Sequence, residues 1–84
     1  MYTEIKELAR RLKAMSDGNR LRILLLLLEY DLCVDALADR LAISKSAVSQ
    51  HLKVLREAGL VRGEKRGYFT HYQVEREHLQ AMGN

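Results

Sequence analysis

The 84-residue chain predicts a mainly α fold carrying one β-hairpin, an α+β domain, on three observations. Proline is absent and glycine occurs only five times, which leaves little punctuation for loops. Apolar residues recur at three- and four-residue spacing as far as Ala58, the period of helices. From Tyr68 to Val74 the period shortens to two, the signature of a half-buried strand. A chain this short holds one core, so residues 1–84 are expected to form a single domain.

Ile5, Leu8, Ala9, Leu12 and Met15, separated by charged residues, predict a first amphipathic helix with Thr3 placed to cap it. Ser16-Asp17-Gly18-Asn19 breaks that pattern, and Asp17 can accept from the free amides of a second helix running to about Glu29. Leu21 and the run Ile23 to Leu28 make the second helix apolar nearly all round, hence expected to be central and buried. A third, two-turn helix is expected from about Val34 to Leu41, with Val34, Leu37, Ala38 and Leu41 inward. Ser44 then caps a fourth helix to Ala58, whose core stripe is Val48, Leu52 and Leu55, and Gly59 ends it. Leu60-Val61-Arg62 begins an extended segment, and Gly63-Glu64-Lys65-Arg66-Gly67 reads as a basic hairpin tip. The rings of Tyr68, Phe69 and Tyr72 are expected to serve hairpin packing, because alternation sends them to opposite faces. Glu75 to about Met82 reads as a last short helix.

Two short helices joined by a three-residue turn and followed by a basic hairpin make a winged helix-turn-helix. Its parts are the N-terminal helices in 1–30, the helix-turn-helix in 34–58, the wing in 60–74 and the short C-terminal helix in 75–84. Charge placement agrees with a polyanionic partner such as double-stranded DNA. Between Ser44 and Tyr68 six basic residues face two acidic ones, a net of +4 within a chain of net charge +3, so the remainder sums to −1. With Val48, Leu52 and Leu55 turned inward, Lys45, Ser46, Ser49, Gln50 and Lys53 lie on outer faces of the fourth helix. Short hydroxyls, Ser44 among them, allow close approach to a major groove, Gln50 can pair bidentately with adenine, and Lys45 can donate to guanine or phosphate. His51 faces either the groove edge or the third helix. Lys65 and Arg66 on the wing are placed for phosphate or minor-groove contact. The competing reading is a winged-helix module that uses the same surface for a protein partner. An enzyme is disfavoured, because no paired carboxylates, nucleophile with adjacent base or phosphate-cradling glycine loop stands at usable spacing.

The chain resembles the ArsR/SmtB-type winged-helix repressors over nearly its whole length. Leu12 to Asp17 followed by Arg20-Leu21-Arg22-Ile23-Leu24 is similar to that family's first linker, Asp31-Leu32-Cys33-Val34 to its approach to the third helix, and Ser44 to Val61 to its recognition helix almost residue for residue. The resemblance implies Lys45, Ser46, Ser49 and Gln50 as DNA readers and a homodimer that represses transcription until an inducer binds. Dimerisation through Ile5, Leu8, Leu12, Leu79 and Met82 follows from the resemblance together with the small core. The chain also departs from the family. Asp17-Gly18-Asn19 replaces the usual Asp-Pro-Thr, and Cys33-Val34-Asp35 replaces the Cys-Val-Cys of metal-sensing relatives.

Cys33 is the single cysteine, so no internal disulfide can form, a usage that fits a reducing compartment. Cys33, Asp35 and His78 are weak metal-ligand candidates lacking evident partners, and a small buried hydrophobe is the simpler reading of Cys33. His71 reads as an ordinary strand residue. No metal or cofactor is therefore expected, and the inducer is not readable from the residues. The longest apolar run, Ile23 to Leu28, is far below the roughly 18 residues of a membrane span, and Met1 to Lys6 lack a secretory apolar region, so the expectation is cytoplasmic with no membrane partner.

Overall fold

The structure is a computed structural model and describes residues 1–83. Its elements in chain order are α1 (Tyr2–Met15), α2 (Gly18–Glu29), β1 (Leu32–Cys33), α3 (Val34–Leu41), α4 (Lys45–Glu57), β2 (Val61–Arg66), β3 (Phe69–Val74) and α5 (Arg76–Gly83). Asn84, the last residue of the expected C-terminal helix, lies outside the described residues.

Local capping chemistry sets most helix limits. Asp17 accepts from the Arg20 amide at 3.1 Å at the start of α2, and Ser44 accepts from the Ala47 amide at 3.1 Å at the start of α4. Thr3 does not cap α1. That helix begins two residues earlier than a Thr3 cap requires, with Met1 in the cap position and no side-chain cap, so Thr3 already lies within the first turn. At the end of α3 the amides of Ala42 and Ile43 donate to Asp39 and Ala38, with Ala42 at φ +57°. The end of α4 repeats the pattern: Gly59 (φ +75°) donates to Arg56 and Leu60 to Leu55. These paired reverse bonds absorb carbonyls the helices leave free, and a left-handed residue is what permits them. The second also swings Leu60 back into the core beside Leu55, where both are fully buried.

The core is built from α2, α3 and α4, with Ala14 of α1 and the base of the hairpin. Ile23, Leu37, Val48, Leu52, Leu55 and Leu60 are its largest fully buried side chains, and Ala14, Leu24, Leu27, Leu41, Val61 and Val74 complete much of it. The α2 helix is less enclosed than its leucine run suggests. Its Ile23, Leu24 and Leu27 face turns inward, while Leu25 is 63% exposed and Leu21 is also exposed, because α1, α3, α4 and β3 cover only one side. The α1 helix buries only Ala14 and leaves Ile5, Leu8 and Leu12 exposed.

The sheet has three antiparallel strands in the order β1-β3-β2. Its third strand, β1, was not expected: Leu32 pairs with Tyr72 and Cys33 with His71. The hairpin is also longer than expected. Gly63 to Arg66 lie inside β2, with Gly63 opposite Tyr72, and the turn is Gly67-Tyr68 alone. The reason is steric. A Cβ at Gly63 would stand 3.0 Å from Thr70 Cγ2 and 3.3 Å from the Tyr72 ring, so this glycine admits a ring across the strand and does not mark a turn. The expected packing role of Tyr68 and Phe69 fails for the same reason, since both sit at the displaced tip and are exposed.

Candidate nucleic-acid interface

The predicted reading surface is assembled on α4. Burial of Val48, Leu52 and Leu55 fixes the helix's rotation, which leaves Lys45, Ser46, Ser49, Gln50 and Lys53 exposed together. Lys45, Ser49 and Lys53 follow one another at i, i+4 and i+8, and Ser46 and Gln50 form the adjoining row. His51 is half-buried on α4. The hydrogen bond from the Arg20 amide is the main cause that holds the Asp17 carboxyl below its usual range. The Ser44 hydroxyl is engaged as the cap and also lies 3.1 Å from the Ser46 hydroxyl. Lys45 stands 3.4 Å from the Asp35 carboxylate, both exposed; a pair of this kind is weak, so its ammonium remains exchangeable with a phosphate.

The wing places its two predicted cations differently. Lys65 is exposed and forms no ion pair among the described residues. Arg66 is tied down: its guanidinium donates to Asp31, just before β1, and to Glu64 on its own strand. The bond to Asp31 foremost, then that to Glu64, hold the Arg66 pKa above its usual value. At the wing's base Arg62 donates to Glu75 and to Gln73, which joins the hairpin to the segment leading into α5. Sequence reasoning did not foresee the aromatic tip. Tyr68 is fully exposed and Phe69, opposite Arg66 across the hairpin, is half-exposed. A Gly-X pair at 67–68, with positive φ at the glycine, is the hairpin-turn signal that would have revealed it.

The metal-ligand candidates are not brought together. Asp35 faces Lys45, and the His78 Nδ1 donates to the Gly59 carbonyl, which locks α5 against the end of α4. Cys33 is half-buried and lies across from His71, whose Nδ1 is buried with no hydrogen-bond partner among the described residues. Among the described residues no three His, Cys, Asp or Glu side chains are arranged to hold a metal ion, and no helix is long and apolar enough to cross a membrane. Of the dimerisation candidates, Ile5, Leu8 and Leu12 are exposed, whereas Leu79 and Met82 are half-buried against the core.

Comparison with known proteins places this geometry. The transcriptional activator HlyU of Vibrio cholerae is 44% identical over 71 residues, covering 84% of this chain and 66% of that protein. Its solved structure superposes with a TM-score of 0.87 at 39% identity, over 98% of this chain and 89% of the other. The HTH-type transcriptional repressor SmtB of Mycobacterium tuberculosis is 41% identical over 68 residues, 81% of this chain and 50% of that protein. A homodimeric winged helix-turn-helix DNA-binding domain from Mycobacterium bovis superposes with a TM-score of 0.89 at 26% identity, over 98% of this chain and 77% of the other. The chain thus spans between half and two thirds of the length of these curated relatives. Residues 17–62, from the cap of α2 through the helix-turn-helix to the first residues of the wing, match the family model described as bacterial regulatory protein, arsR family. That match takes in more than half of the chain, and the winged helix-turn-helix built on it is the fold of these relatives: the chain belongs to the arsR family of bacterial regulatory proteins.

Proposed function

We propose that this protein is a sequence-specific, double-stranded DNA-binding transcriptional regulator, a homodimeric repressor that reads a palindromic operator with α4. The observation that carries this reading is the exposed row of Lys45, Ser46, Ser49 and Gln50 at the N-terminal half of a helix whose opposite face is locked into the core. That end of a recognition helix is the one that enters a major groove, and these side chains are the types that pair with base edges and phosphates there. Lys53, Lys65 and, once released from Asp31, Arg66 supply flanking phosphate contacts. Repression needs only occupancy of DNA, which a domain of this kind supplies alone, although an activator and a repressor both stand among its relatives. Dimerisation is supported by the exposed Ile5, Leu8 and Leu12 on α1 and by the homodimeric relative from Mycobacterium bovis.

The test is selection of bound sequences from a pool of random duplex DNA, followed by affinity measured against salt. An enriched palindromic motif is expected, with log affinity falling by roughly 0.9 per phosphate neutralised for each unit of log salt. No enrichment together with a flat salt dependence would overturn the reading in favour of a protein-binding module.

A further inference from the structure

An open groove of about 790 Å³ lies where the second half of α1 and the start of α2 meet the C-terminal half of α4. Ala14, Val54 and Ala58 give it an apolar part, and Arg10, Lys13 and Arg20 line it as well. None of these three cations forms an ion pair among the described residues. Arg20 is held in place, since its Nε donates to the Ala14 carbonyl at 2.5 Å, and this leaves its two terminal nitrogens for another acceptor. Glu57 is the one carboxylate lining the groove among the described residues.

Three cations lining a groove with an apolar part call for an anion with an apolar body. The volume lies within the range that holds small organic ligands, about 300–1,000 Å³. A nucleic-acid backbone matches the cations but has nothing to lay on Ala14, Val54 and Ala58. A second copy of the chain on the α1 dimer face would not cover the groove. At about 100° per residue, Arg10 and Ala14 fall on the side of α1 roughly opposite Ile5, Leu8 and Leu12, with Lys13 between the two faces. The groove also touches the reading helix directly: Val54 is one turn beyond Gln50, and Ala58 ends α4. A molecule bound there contacts α1 and α4 at once, so it bears on how α4 is presented to DNA.

We propose that this groove binds a small amphipathic carboxylate and that its occupation regulates DNA binding by α4; the regulatory half rests on the function proposed above. The probe is octanoate, titrated into the full chain in the absence of DNA and followed by the methyl resonances of Ala14, Val54 and Ala58. Saturable shifts at these methyls are expected, with binding of octanol, and of octanoate to an Arg10→Gln/Lys13→Gln variant, weaker by about tenfold or more because charge-assisted bonds are lost. Folding of the variant is checked by its spectrum, and Arg10→Lys should retain binding. Absence of saturable shifts, equal binding of octanol, or an unaffected double variant overturns the site. If octanoate fails to bind while the double variant loses duplex affinity, the groove is a phosphate contact and the proposal falls. A second arm measures affinity for the selected duplex with and without saturating octanoate, where a change of about fivefold or more is expected. Occupation without such a change overturns the regulatory half. Failure to bind DNA at any salt, with octanoate binding intact, removes the function proposed above and its regulation but leaves the site standing.

Discussion

Gln50 and Lys65 are both exposed polar residues, yet the fold gives them different work. Gln50 projects from a helix rotationally fixed by Val48, Leu52 and Leu55, so its amide can be held against one base; Lys65 lies on a wing strand, where an ammonium meets phosphates common to every sequence. Gln50→Ala should therefore cost about 1–3 kcal/mol on the operator and little on scrambled DNA, whereas Lys65→Ala should weaken both alike and lower the salt slope by about 1. Affinities of each variant on the two duplexes check this, and equal losses for Gln50→Ala would remove it as a base reader. Arg66 differs from its neighbour because Asp31 and Glu64 already satisfy its guanidinium. A phosphate must displace carboxylates to reach it. Asp31→Asn should accordingly tighten binding to any duplex and steepen the salt slope by up to about 1, and Arg66→Ala should cost less than Lys65→Ala. Weaker binding by Asp31→Asn would mean that Asp31 orients Arg66 for DNA and does not compete with it.

Elements differ in how far their residues announce them. The helices α2, α3 and α4 were legible because their information is local: apolar spacing, a capping Asp17 or Ser44, and Gly59 as a stop. Lys45, Ser46, Ser49 and Gln50 were legible for the same reason, as the complement of a core stripe. The two-residue strand β1 was not, since two residues have no period and its pairing partners, Tyr72 and His71, lie about 40 positions away in sequence. The Asp31–Arg66 contact, 35 residues apart, is hidden in the same way. Gly63 misled because a glycine that admits a ring looks like one that makes a turn. Its role gives a prediction. Gly63→Ala should destabilise the domain by about 1–3 kcal/mol through overpacking against Thr70 and the Tyr72 ring, and part of the loss should vanish in a Thr70→Ser background, where the methyl standing nearest to the new Cβ is gone. Denaturant titration of the four-member cycle measures the coupling; additive losses would show that the close approach is not what makes glycine necessary.

At the scale of the molecule, α1 leaves most of its apolar stripe outside its own core, burying Ala14 alone while Ile5 and Leu12 are each more than half exposed. A marginal core and a solvated apolar face on one helix are both relieved by pairing two copies about a two-fold axis. Because Ile5 and Leu12 make little contact within one chain, replacing both by Glu tests pairing with small cost to the fold. The Ile5→Glu/Leu12→Glu variant should sediment as a folded monomer under conditions where the unaltered chain is a dimer. Two α4 helices related by such an axis must enter successive major grooves on one side of the duplex, about 34 Å apart. The operator's half-sites should thus be separated by one helical turn, and inserting about five base pairs between them should turn the second half-site to the far side. The unaltered dimer should then bind the lengthened site no better than a single half-site, and the monomeric variant should be indifferent to the insertion. A chain that stays dimeric with both glutamates present must pair through another surface, and insensitivity of that dimer to half-site spacing would mean that its two α4 helices are not used together.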